Sequence, residues 1–192
     1  THLDELAAEV GDLPLALHLV GSFLQRYRHA AAGRPEAVLA QLRRPDRFQQ
    51  AVLDGQGAKV SPTGHALHVA RTFALGYDQL DPGDDTDAIA QALLTRIACL
   101  APGQPIPHEL VLAVTNLWGD AALELQIEDA LLRLSALGLV ALNDEGSVTL
   151  HRLVGTYACD AQAAELADHQ STVEAVIEQR AGQVNASGLP GS

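Results

Sequence analysis

Leu139-Val-Ala-Leu142, Asn143-Asp-Glu-Gly146 and Ser147-Val-Thr-Leu150 are the three quartets on which the fold turns. Two short β-prone runs around an Asn-to-Gly turn read as a β-hairpin, and no other stretch carries a convincing strand signal. On either side the apolar period is helical. Upstream, 121–137 is amphipathic, with Leu123, Ile127, Ala130, Leu131 and Leu134 inward. Gly138 then takes the position just past a helix, where a left-handed residue closes it. Before that, Pro107 opens a helix running to about Leu117, and Ala101-Pro-Gly-Gln-Pro-Ile-Pro107 reads as a rigid turn. Asp81-Pro-Gly-Asp-Asp-Thr-Asp87 ends one helix and caps the next, at about 86–100. Downstream, helices follow at about 152–167 and 170–184, and Asn185-Ala-Ser-Gly-Leu-Pro-Gly-Ser192 reads as a disordered tail.

The order helix–helix–helix–hairpin over 86–150 is that of a winged helix, the hairpin being the wing. The N-terminal part is helical as well. Thr1 can cap a first helix with Leu3, Leu6, Ala7 and Val10 on one face and Asp4 and Glu5 in its first turn. Gly11 ends it, and Asp12 is the expected cap of a second helix with Pro14 in its first turn, where a missing N–H costs little. Leu15, Leu19, Val20, Phe23 and Leu24 form that helix's stripe as far as Tyr27, and a short third helix spans 35–42. Residues 54–64 are the most turn-rich stretch and read as a linker. From His65 the stripe Leu67, Val69, Ala70, Phe73, Ala74, Tyr77 and Leu80 is helical again. The expected fold is mainly α: a small helical bundle followed by a winged-helix domain with one β-hairpin wing. Its parts are a helical domain at 1–53, the linker, a winged-helix domain at 65–167, a connecting helix at 168–184 and the tail at 185–192.

Composition sets bounds. The chain has 192 residues, 47% of them hydrophobic, enough to bury a core. The net charge is −12, and residues 61–192 carry all of it, with seventeen acidic against five basic side chains. A surface that grips a phosphate backbone needs the opposite sign. In the third helix of the winged-helix order, Glu124, Glu128 and Asp129 face Arg133 alone, and the wing tip carries Asp144 and Glu145. DNA is therefore not an expected partner. No apolar run approaches the length of a membrane span, so no membrane association is expected. Cys99 and Cys159, 60 residues apart, do not form a disulfide framework, and the expected setting is the reducing cytoplasm. Cys99, between Ile97 and Leu100, reads as a core thiol. The chain opens at Thr1 directly in helical sequence and reads as a piece of a longer protein.

Enzyme signatures are missing. Gly55-Gln-Gly-Ala-Lys59 has the wrong spacing for a phosphate-binding loop and no strand before it. No Gly-x-Ser-x-Gly elbow is present. His65 and His68 stand three apart on a helix without a cysteine or carboxylate at ligand spacing, so they read as ordinary helix histidines and no metal is expected. Asp81, Asp84, Asp85 and Asp87 lack the pattern of a calcium loop and read as a solvated capping turn. No catalytic residue is assigned and the chain is not expected to be an enzyme by itself.

Four stretches do carry a resemblance. Gly11-Asp-Leu-Pro-Leu-Ala-Leu17 resembles the Gly-x-Pro motif of the NB-ARC class of signal-transduction ATPases, the STAND group, in the form common among bacterial members with tetratricopeptide repeats. Tyr77-Asp-Gln-Leu80 resembles the segment that opens their winged helix. Leu100-Ala-Pro-Gly-Gln-Pro-Ile-Pro107 resembles the Leu-x-Pro…Ile-Pro turn, and Leu150-His-Arg-Leu-Val154 the bacterial variant of the Met-His-Asp motif. The four stand in the family's order. Departures are the absent P-loop domain, Gly76 where the family usually has Ser, and Arg152 in place of Asp. The resemblance implies that Pro14 packs near the adenine and ribose of ADP or ATP and that His151 reaches the β-phosphate of ADP. It further implies a regulatory module that gates nucleotide exchange and oligomerisation. The implied partners are its own P-loop domain, a downstream repeat sensor domain and, on activation, other copies of itself. With the P-loop absent, the chain alone is expected to hold no nucleotide. Pro14 also reads as an ordinary first-turn proline and His151 as a helix cap. Loss of His151 is expected to leave this chain's stability nearly unchanged. Two other classes compete: a winged-helix transcription regulator with a helical dimerisation arm, and a helical protein-interaction scaffold.

Overall fold

Why the chain turns at Gly11 is visible in its hydrogen bonds. The computed structural model describes residues 1–43, 65–115, 121–144 and 146–187. The expected linker at 54–64, Glu145 of the wing tip and 188–192 of the tail lie outside them. Helix α1 (His2–Glu9) starts on a reciprocal cap between Thr1 and Asp4. It ends where Gly11 N–H meets the Ala8 carbonyl at 3.0 Å and Asp12 N–H meets Ala7 at 2.9 Å. Gly11 and Asp12 are both left-handed there, at φ +69° and +53°. Asp12 is thus spent on closing α1 and does not cap α2 (Pro14–Arg26), whose N-cap is Leu13 with no side-chain bond. Leu3, expected on the inner face of α1, is 58% exposed.

After a 3₁₀ turn at Ala31–Gly33 comes α3 (Pro35–Leu42), starting at its proline as expected. Helix α4 (His65–Tyr77) is the central rod: Thr72 through Tyr77 are buried all round. It packs against α2, α3 and α8. Then follow α5 (Asp85–Ala98), β1 (Pro105–Ile106), α6 (His108–Ala113), α7 (Ala121–Ala136), β2 (Ala141–Leu142), β3 (Val148–Thr149), α8 (Arg152–Ala161) and α9 (Leu166–Ser187). The protein is mainly helical, with nine α-helices and one small antiparallel sheet among the described residues.

The sheet differs from the expected lone hairpin. It has three strands in the order β1-β3-β2, with Pro105 opposite Thr149 and Ile106 opposite Val148. The turn before α6 therefore contains a strand. Two residues are too few to show a period, and their pairing is with a strand more than forty positions on. The hairpin itself lies where the quartets put it, with only Ala141–Leu142 and Val148–Thr149 laddered. Its turn closes by Gly146 N–H to Asn143 at 2.9 Å, with Gly146 at φ +77°. Pro107 caps α6 and is not its first residue. The break after α8 falls at 162–165, earlier than the expected 168–169, so the connecting helix begins at Leu166.

Gly138 closes α7 by the same double pattern as Gly11. Its N–H meets Ser135 at 2.9 Å, that of Leu139 meets Leu134 at 3.0 Å, and its φ is +74°. Helix α5 is the hub of the C-terminal half, contacting α7, α8 and α9. The buried side chains form one cluster from Leu6 to Val176, with Phe73 against Tyr77 and Tyr157 at centroid distances of 5.0 and 5.9 Å.

Candidate functional site

His151 is the N-cap of α8. It follows directly on β3 and the buried Leu150, and its Nδ1 accepts from the Leu153 N–H at 3.2 Å. An imidazole that accepts at Nδ1 is neutral and carries its proton on Nε2. Partial burial and the neighbouring Arg152 charge both hold its pKa below the ordinary range, favouring that form. The ring remains exposed, so its N–H is a donor at the positive end of a helix.

The turn at 101–104 meets this cap. Gly103, at φ +90°, gives its N–H to the Leu150 carbonyl at 2.7 Å, and a Cβ there would stand 3.4 Å from Cγ of Arg152. Gly155, on the first turn of α8, lies against Ala98 and Pro102. Gln162, at the far end of α8, donates through Nε2 to the Tyr77 hydroxyl at 2.9 Å. Two motif stretches, 77–80 and 100–107, thus touch α8, whose own start is the 150–154 stretch. Pro14 is exposed at the start of α2, and no hydrogen bond or ion pair links it to His151 among the described residues. The turn before Pro14 lies against His68 of α4, 3.3 Å from a Cβ built at Gly11.

A second polar cluster went unread in the sequence. Arg133, the sole cation of α7, points inward. Its Nε donates to Asp87 Oδ1 at 2.9 Å, Nη2 donates to the Gln79 carbonyl at 2.9 Å, and Nη1 lies 3.5 Å from the Tyr27 hydroxyl. Asp87 also accepts the Asp81 N–H at 3.0 Å. Burial alone would raise the Asp87 carboxyl, but Arg133 and the Asp81 amide hold it below the ordinary range. The rest of the expected solvated turn is as read: Asp81, Asp84 and Asp85 are exposed, Asp81 accepts the Gly83 N–H at 2.8 Å, and Asp84 caps α5 by accepting the Asp87 N–H at 3.0 Å. Nothing in the run of four aspartates marks Asp87 as the buried one.

Arg96 stitches three helices. Its Nη1 donates to the Val114 and Thr115 carbonyls at 3.0 and 3.1 Å, capping α6, and its Nε donates to Nδ1 of His169 on α9 at 3.3 Å. The one legible signal was a lone basic residue set among apolar ones. Cys99 is only partly buried, as is Cys159, and both are free thiols. Burial pushes both thiols up, Cys159 to about 11, so neither is a ready nucleophile.

Among the described residues no helix is long and apolar enough to cross a membrane. Nor does any group of three His, Cys, Asp or Glu side chains stand ready for a metal ion. The chain matches no known family model, and no curated protein matches its sequence.

Proposed function

We propose that this chain is the regulatory helical and winged-helix half of a nucleotide-dependent switch of the NB-ARC, or STAND, class. The unit α5-β1-α6-α7-β2-β3, with sheet order β1-β3-β2, is read as a winged helix whose wing is the β2–β3 hairpin. The observation that carries the functional reading is the His151 cap. A neutral imidazole held through Nδ1 offers Nε2–H at a helix N-terminus, where a phosphate is favoured. That is the donor expected of the histidine in Leu150-His-Arg-Leu-Val154. The contact of the 101–104 turn with Leu150 and Arg152 adds support, because it joins two motif stretches that resemble the family independently. On this reading His151 closes the module over ADP bound to a separate P-loop domain. Exchange for ATP releases it toward an oligomeric form, and Pro14 offers its ring to the base.

The transcription-regulator reading is weaker for a physical reason. The only cation of α7 is consumed by Asp87, so the charges the helix leaves for a groove are all acidic.

The test uses His151→Asp in the longer, P-loop-containing chain that this reading requires. Asp caps helices well, so the fold is kept, while its charge opposes a phosphate. A lost hydrogen bond to a charged group is worth about 1.5–3 kcal/mol, so ADP dissociation should accelerate about ten- to a hundredfold. Stopped-flow release of a fluorescent ADP reads this directly, and equal rates in both proteins would remove the gating role.

A further inference from the structure

Helix α7 has two apolar faces. One, formed by Ile127, Ala130, Leu131 and Leu134, is buried in the core. On the opposite side stand Leu125 and Leu132, 68% and 58% exposed. Seven residues apart, they share a stripe, with exposed Asp129 between them. Single exposed leucines are ordinary; two in register on one helix face, each more than half open, are the pattern of a helix-in-groove contact.

The borders of this stripe are acidic. Glu124 and Glu128 line one edge and Asp129 the other, and the ion-pair partner of Glu128 among the described residues is His108, whose Nε2 lies 2.7 Å away. Arg133, the one cation of α7, is turned toward Asp87 and the Gln79 carbonyl on the inner side. The stripe is therefore an apolar ridge between negative edges with no cation of its own helix to offset them. A second copy of the chain would bring the same negative edges against these, and the whole chain carries −12.

We infer that the outer face of α7 docks an amphipathic helix of a protein partner whose leucine-like stripe is bordered by Lys or Arg. The apolar ridge supplies the contact and the acidic borders select the charge and register. This surface is separate from the His151 cap and stands without the nucleotide reading.

The probe is a fluorescein-labelled helical peptide of about 18 residues, five turns, with leucines on one face and lysines along both edges. A second peptide keeps the leucines and replaces each lysine by glutamate. Anisotropy is measured against the whole chain at about 0.15 M salt, where distant charges are screened. The basic peptide should bind saturably and the acidic one should not. Leu125→Ser with Leu132→Ser should weaken binding at least about tenfold, as loss of central apolar anchors does, with an unchanged melting temperature. Glu124→Lys with Asp129→Lys should weaken the basic peptide and admit the acidic one. The inference fails if the basic peptide does not bind, if both peptides bind alike, or if the serine variant binds as the parent chain does, since that would be bulk charge attraction. It also fails if sedimentation shows a dimer that the serine variant dissolves, because a second copy would then cover this face.

Discussion

The imidazole of His151 accepts the Leu153 N–H, so truncating it removes a helix cap. His151→Ala should therefore lower the stability of this chain by about 0.5–2 kcal/mol in urea unfolding, while His151→Asp should hold it near the parent value. The expectation that this histidine matters only with a phosphate present is corrected by that bond. His169 gives a pH dependence of definite sign. Its Nδ1 accepts from Arg96, and burial, then the Arg96 charge, lowers its pKa below the ordinary 6.5. His151 is lowered as well. Below 6.5 the unfolded chain takes up protons that the folded chain refuses. Stability is thus complete above that value and falls as the pH drops through it toward the folded values. His169→Asn keeps an acceptor for Arg96 without titrating, so its profile between pH 8 and 5 should be flatter than the parent's. A parallel profile would mean that His169 takes no part.

Helix ends and helix-to-helix ties decide the next scale. A Cβ at Gly138 would meet Oγ of Ser22 at 2.5 Å while the backbone sits at φ +74°. Gly138→Ala should cost about 1–2 kcal/mol for the left-handed backbone alone, and more for the contact with α2. Gly21, inside α2 with nothing within 4 Å, is the control. There the same change should stabilise by about 1 kcal/mol, because alanine is the better helix former. Opposite shifts in the urea midpoint check the pair. Asp87 and Arg133 are 11% and 19% exposed in their side chains, and their pair ties α5, α7 and the end of α4 together. Asp87→Ala leaves a mostly buried guanidinium without its counter-charge and should cost about 3 kcal/mol. Adding Arg133→Met should restore a large part. A double variant no more stable than the single would assign the loss to packing around Asp87 instead.

For the whole molecule, charge is the property with the plainest consequence. Seventeen acidic side chains against five basic ones in residues 61–192, with Arg133 consumed internally, should leave duplex DNA unshifted in a gel at physiological salt. A salt-sensitive, sequence-dependent complex would restore the regulator reading. Much of the architecture was legible because its signals are local. Gly11 and Gly138 end helices through their own backbone freedom, Thr1 and Asp84 cap through side chains within three residues, and the apolar positions Val69, Ala70, Phe73, Ala74, Tyr77 and Leu80 are buried. His151 was legible as a candidate from its motif, and its alternative reading as a cap was equally local. What the amino-acid sequence could not determine is what depends on partners far along the chain. Strand β1 exists only because Thr149 and Val148 supply its hydrogen bonds. The sides taken by Arg133, Arg96 and Asp87 follow from how helices pack. A two-residue strand has no period to read. A charged side chain turns inward only once tertiary structure has set a counter-charge or carbonyl beside it to offset its desolvation.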